Sequence, residues 1–181
     1  MTRGAFPSAY EAFDHALKAC EIATNDNTNK GLSKIEIAVI AALKVRFNPV
    51  PDVPPEEAST PIDANNQLYA EELERLYNEY GNIPCVACLY VEALMNFDPW
   101  HLWDINTGVP RAFTVTARSI LESTLSRAPR HPGLHHFYIH LMEMSPTPEK
   151  ALDTCQILRY LVPDAGHLVH MPSHIYVLCG E

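Results

Sequence analysis

A repeated helical segment is the feature that most constrains the fold of this chain. The segment PCVACLYVEALM begins at Pro84 and aligns with PGLHHFYIHLME, which begins at Pro132. Aligning Gly133 with Gly166 relates the second segment to a third one 33 residues later. A period near 34 residues is that of a tetratricopeptide helix pair. The sequence therefore predicts antiparallel helix pairs stacked side by side.

Apolar residues recur at helical spacing along most of the chain, no segment alternates with period two for long, and only seven residues are glycine. These patterns predict an all-α fold, a tetratricopeptide-like α/α superhelix that forms a single helical-repeat domain over residues 1–181. A proline-rich loop over residues 48–62 and a tryptophan loop over residues 97–111 interrupt it. Pro7 is expected in the first turn of the first helix, and Ser33 and Glu36 are expected to form a capping box at the start of the second. Helices are expected over the histidine-rich segment after His131 and over residues 7–24, 33–47, 63–80, 84–97, 114–128, 148–162 and 164–180.

The C-terminal segment lacks a partner in this arrangement. The histidine-rich segments are the first helices of their pairs, residues 148–162 are a second helix, and Gly180 forms a turn after the last first helix. We therefore expect the chain to be an internal fragment of a longer array, or to be completed by self-association of its C-terminal helix with another copy, because the apolar side of residues 165–179 needs covering.

Charge and cysteine content indicate which binding partners and which cellular compartment to expect. The formal net charge is -9 and no Lys/Arg-rich face is evident, which argues against nucleic-acid and membrane binding. The N-terminal sequence lacks the apolar core of a secretion signal, and the five irregularly spaced cysteines fit a reducing compartment, so we expect a cytoplasmic protein. The lone CxxC of Cys85 and Cys88 is interpreted as structural rather than as a redox or zinc motif.

Histidine is concentrated near the C-terminus, where seven of the nine histidines lie between positions 131 and 174. Since each helical residue advances by about 100°, two sets of three residues each fall within an arc of roughly 60°. The first set is His136, His140 and Glu143. The second set is His167, His170 and His174. Neighbouring first helices lie side by side, so the two sets should face a common centre on the concave surface.

These side chains suit a divalent transition metal. Neutral imidazole binds zinc, copper, iron or nickel, and a carboxylate neutralises charge, whereas calcium and magnesium need more oxygen ligands. Six ligands exceed the four of a closed zinc site, which permits two metals, or one metal with additional hydrogen-bonding partners. Glu92 aligns with His140 and is a further ligand or an acid–base residue. A zinc or two-metal centre would serve a hydrolase, and copper or iron would serve an oxidase.

The alternative function is a tetratricopeptide-like scaffold that binds a peptide or partner protein in its concave groove without metal. Such grooves carry polar residues, and a single histidine is more often a hydrogen-bonded core residue than a ligand. His131 is predicted to be a cap or surface residue, and His135 points away from the stripe.

Two features leave the local structure open. If residues 166–178 form one helix, Pro172 kinks it and re-aims His170 and His174. If a helix instead starts at Pro172, then His167 and His170 lie on a loop. Trp100 and Trp103 either wall a pocket near His101 and Asp104 or form a packed cover over helix ends.

The histidine-rich half of the chain resembles an uncharacterised bacterial family of tetratricopeptide-repeat-like proteins. The resemblance lies in HPGLHHFYIHLMEMSPTPEKAL and LVPDAGHLVHMPSHIYVLCGE, and upstream in LYVEALMNFDPWHLWD. It extends over about residues 7–181 and implies a helical superhelix that is longer at both ends, with no assigned activity. The residues that match its histidine motif are His131, His136, His140, Glu143, His167, His170 and His174.

Overall fold

The computed structural model describes residues 9–25, 31–47 and 61–181. The described residues form helices and contain no strand, so the all-α prediction is confirmed. The helices are α1 (Ala9–Thr24), α2 (Lys34–Phe47), α3 (Pro61–Tyr80), α4 (Pro84–Met95), α5 (Ala112–Arg127), α6 (Pro132–Glu143), a 3-10 turn (Pro148–Ala151), α7 (Leu152–Leu161), α8 (Gly166–His170) and α9 (Pro172–Cys179). None of them is long and apolar enough to cross a membrane. The predictions for Pro7 and for residues 48–60 of the proline-rich loop lie outside the described residues.

The chain divides into two compact units, Met1–Asn78 and Glu79–Glu181. In the first unit α1 packs against α2. The predicted capping box at the start of α2 is confirmed. Ser33 N–H donates to Glu36 Oε2 at 2.6 Å, and Glu36 N–H donates to Ser33 Oγ at 3.3 Å. These two bonds satisfy backbone donors that a helix start leaves without partners.

Polar side chains of α3 cap the end of α2. Asn65 Nδ2 donates to the Arg46 carbonyl at 3.1 Å, and Arg46 Nε donates to Asn66 Oδ1 at 3.1 Å. Both asparagines are buried, and the Arg46 guanidinium lies 5.3 Å from the centre of the Tyr69 ring. The last carbonyls of a helix have no partner within it, so this pair of bonds stabilises the C-terminus of α2.

The second unit consists of consecutive helix pairs. Helix α6 contacts both α4 and α9, so the first helices of successive pairs lie next to each other, as the repeat pattern predicts. Helix α5 packs on α4 and α6, and α7 packs on α6 and α9. Each of these helices places an apolar side chain in the core with no exposed surface. These side chains are Val91, Leu121, Ile139, Leu158 and Ile175.

Proline opens α4, α6 and α9 at Pro84, Pro132 and Pro172. Proline suits the first helical position because the N–H that it lacks has no partner there. Helix α8 ends at His170 and α9 begins at Pro172, with Met171 between them in the right-handed helical conformation. A helix therefore starts at Pro172, as one of the two alternatives predicted. That alternative is wrong in placing His167 and His170 on a loop, because both lie on the short helix α8.

The tryptophan loop packs against the end of α6. Trp103 is 7% exposed, and its Nε1 donates to the Leu141 carbonyl at 2.7 Å. The bond satisfies one of the last carbonyls of α6, which the helix itself leaves unpaired. Trp100 is 80% exposed. Trp103 thus forms the packed cover that was one of the two alternatives, and it fixes the end of α6 that carries Glu143.

Helices α4 and α6 approach closely at Gly133. A Cβ atom at position 133 would lie 2.7 Å from the Cys88 sulfur, which belongs to a buried side chain of α4. That separation is shorter than van der Waals contact, so with any side chain at Gly133 either the buried Cys88 side chain or the two first helices would have to shift.

We expect Gly133→Ala to destabilise the protein by about 1–3 kcal/mol, because overpacking at a helix contact outweighs the gain in helix propensity. Gly166→Ala is the matched control, since a Cβ there meets no atom within 4 Å. Urea unfolding of both variants measures the difference. Equal stabilities would contradict the close approach of α4 and α6.

Candidate metal centre

The two predicted ligand sets meet where α6 lies beside α8 and α9. Helix α6 carries one set and the α8–α9 segment carries the other. A continuous series of polar contacts joins all six side chains. The members are His136, His140, Glu143, His167, His170 and His174.

Three imidazoles from two helices converge most closely. One ring nitrogen each of His136, His140 and His167 lies within 4.8 Å of the other two. The Nε2 atoms of His136 and His167 are 2.9 Å apart, and the ring centres of His136 and His140 are 4.7 Å apart. Two nitrogens bound to one zinc ion at 2.0–2.1 Å lie roughly 3.3 Å apart. The His136 and His167 nitrogens are therefore close to the separation that a shared ion requires, and a His140 nitrogen lies within 4.8 Å of both.

Glu143 lies between the two sets and bonds to one histidine of each. Its Oε1 accepts a hydrogen bond from His140 Nδ1 at 2.8 Å, and its Oε2 accepts one from His174 Nδ1. The carboxylate is only 18% exposed. Since a neutral imidazole has one N–H, donation from Nδ1 leaves the Nε2 lone pair of His140 and of His174 free to bind a metal.

His170 and Ser173 extend the cluster. His170 Nε2 lies 3.1 Å from His174 Nε2, and His170 Nδ1 lies 3.3 Å from Ser173 Oγ. The Ser173 hydroxyl itself donates to the His170 carbonyl at 2.8 Å. Ser173 was not among the residues that the sequence analysis predicted for the site. The i, i+3 spacing of His170 and Ser173 was the signal for the contact that forms.

Burial sets the charge of His136, and hydrogen bonds set the charge of Glu143. Burial lowers the pKa of His136 to about 4, and the neighbouring His140 and His167 add to the effect. His136 is therefore neutral at pH 7, as a metal ligand must be. Burial alone would raise the pKa of Glu143, but the hydrogen bonds from His140 and His174 outweigh it, so the pKa lies below its usual value. Glu143 is an anion at neutral pH.

Two other histidines of the segment have structural roles, as predicted. His131 caps α6, where its Nδ1 accepts from the Leu134 N–H at 3.2 Å. His135 is 3% exposed and contacts the Pro129 carbonyl through Nε2 at 2.9 Å. Upstream, His101 is exposed and lies 2.7 Å from an Asp98 oxygen. Each of these three histidines therefore has a hydrogen-bonding partner outside the cluster.

The CxxC motif lies away from the cluster. Cys85 is exposed near the start of α4, and its sulfur is 3.4 Å from His131 Nε2. Cys88 is buried against Gly133, and burial raises the pKa of its thiol to about 12. Cys88 therefore behaves as a small core residue, in keeping with the structural interpretation.

A mainly apolar cleft of about 780 Å³ adjoins the centre. His140, Glu143 and His174 form part of its wall, and so does Glu92, whose Oε1 accepts from the Asn96 amide. Volumes of roughly 300–1,000 Å³ are typical of small-molecule sites. The other lining residues include Trp100, Phe137, Val177 and Leu178.

Comparison of the chain with models of known protein families, with curated proteins and with solved structures finds no match. The function is therefore inferred from the geometry and chemistry of this site.

In the metal-free protein we expect the His136 ring to titrate near pH 4, well below the 6.5 of an unperturbed histidine. A lowered folded-state pKa means that the unfolded chain binds the proton more tightly. The contribution to stability is therefore full above pH 6.5 and is lost as the pH falls towards 4. Proton NMR of the imidazole signals, assigned with His136→Gln, measures the midpoint. A midpoint near 6.5 would contradict the burial of His136.

Proposed function

We propose that this protein is a tetratricopeptide-like helical-repeat protein that binds a transition metal through His136, His140 and His167. The observation that carries the proposal is the convergence of three ring nitrogens from α6 and α8 within 4.8 Å. The helix-pair arrangement of α4 to α9 and the histidine motif support placing the chain with the tetratricopeptide-like proteins that it resembles.

The donor set fits a metal of the zinc, copper or iron type. The donors are imidazoles, His136 is neutral at pH 7, and an anionic carboxylate lies beside them to balance the charge of a cation. Glu143 contacts His140 through Nδ1, the arrangement by which carboxylates orient histidine ligands around metals. The geometry thus favours Glu143 as an orienting residue over the direct ligand that the sequence pattern suggested.

An enzymatic role fits the surroundings of the centre. Bound zinc would lower the pKa of a coordinated water for hydrolysis, whereas copper or iron would support oxidation. The adjoining cleft has room for a small substrate with an apolar portion. Glu92 lines the same cleft as His140 and is our candidate for the acid–base residue that moves a proton to or from a substrate there.

The alternative function is a scaffold that binds a peptide or partner protein. It is favoured by the exposed apolar side chains around the cleft, where Trp100 is 80% and Val177 is 78% exposed. Exposed apolar surface of this kind often marks an interaction site. A scaffold needs no stoichiometric metal, so metal content separates the two functions.

We expect the protein, purified without a polyhistidine tag and stripped with a chelator, to take up zinc or copper stoichiometrically. His140→Ala should weaken binding at least about 10–100-fold, because it removes one of three ligands. Elemental analysis and titration calorimetry measure the content and the affinity. His101→Ala is the matched control, since that histidine is exposed and distant in sequence from the cluster. Uptake below about a tenth of an equivalent would overturn the proposal.

Glu143→Gln should also weaken metal binding about 10–100-fold while the protein stays folded. An amide presents one oxygen and one NH₂ group, so it cannot accept hydrogen bonds from both His140 and His174 through two oxygens. Glu149→Gln, which changes an exposed glutamate in the same way, should leave affinity unchanged. If both variants bind metal as the unaltered protein does, Glu143 does not orient the ligands.

A further inference from the structure

We infer that the histidine cluster holds two metal ions, with the second bound by His170 and His174. The inference rests on the proposed function, because it adds a second position beside the one formed by His136, His140 and His167. Its separate basis is the arrangement of hydrogen bonds around His170 and His174, which leaves two nitrogen lone pairs directed at each other.

The proton positions follow from the partners of each ring. His174 Nδ1 contacts the Glu143 carboxylate, which only accepts, so the proton of a neutral His174 is on Nδ1 and its Nε2 is bare. The Ser173 hydroxyl donates its one proton to the His170 carbonyl. Ser173 Oγ can therefore only accept from His170 Nδ1, which leaves His170 Nε2 bare as well.

Two bare Nε2 atoms thus face each other at 3.1 Å. Two lone pairs at this distance repel unless a proton or a metal ion lies between them. A separation of roughly 3.3 Å is what two nitrogens adopt around one zinc ion. The neutral pair therefore has the geometry of two ligands of one ion, and the ion's remaining coordination positions would be left to water or substrate.

Glu143 links this second position to the first. Its two oxygens bond to His140, a ligand of the first ion, and to His174, a ligand of the second. One largely buried carboxylate thereby orients a ligand of each ion and contributes negative charge to both positions. Paired ions suit hydrolysis, since they can stabilise both the attacking and the leaving oxygen of the reaction.

Titration of the chelator-treated full-length chain with Zn²⁺ tests the inference. We expect about two equivalents to bind, as in two-metal centres. His170→Ala should bind about one equivalent, because it removes a ligand of the second ion and leaves the first three histidines and Glu143 in place. His170 is exposed, so its loss should not prevent folding, which circular dichroism checks. His101→Ala should still bind about two equivalents.

Electron paramagnetic resonance with Cu²⁺ gives a readout that does not depend on any variant. Two neighbouring Cu²⁺ ions should produce a spin-coupled spectrum with a half-field signal in the unaltered protein. His170→Ala should show the spectrum of an isolated Cu²⁺ ion.

The outcomes separate the two proposals. Binding of one equivalent with an uncoupled spectrum, removed by His140→Ala and unaffected by His170→Ala, would overturn the second ion and leave the proposed function standing. Binding of no metal would overturn both.

Discussion

The hydrogen bonds from His140 and His174 to the largely buried carboxylate of Glu143 are the interaction on which the rest of the site depends. They join α6 to α9 across the boundary between two helix pairs. They also decide which nitrogen of each neutral ring carries the proton, and so which nitrogen is available to a metal. A single residue thus links two helices and orients one ring from each.

The surrounding packing holds Glu143 in place. Trp103 satisfies the Leu141 carbonyl two residues before it, so the C-terminal turn of α6 is fixed by the loop that follows α4. At the other end of α6, Gly133 allows close contact with Cys88 of α4, and His131 caps the first turn. Helix α6 is therefore anchored at both ends, and its candidate ligands project from an anchored helix.

Much of this could be predicted from the sequence. Helical periodicity predicts the helices, and proline marks the first residue of α4 and of α6 because it lacks an N–H. The start of α9 at Pro172 was one of two alternatives. The 3.6-residue period placed His136 and His140 on one side of their helix and left His135 off it, where it is buried. The bond from Trp103 to the Leu141 carbonyl could not be predicted, because a backbone carbonyl carries no side-chain signature.

The sequence by itself determined the helices, the first residues of α4 and α6 and the two sets of candidate metal-binding side chains, since these depend on local backbone geometry and on periodicity. Only the tertiary structure decided how the sets combine. It placed a break at Met171 between α8 and α9, brought His167 within 2.9 Å of His136, and put Glu143 between His140 and His174. Distances between residues about thirty positions apart depend on how the helices pack, and that packing is set by apolar core side chains such as Ile139 and Ile175.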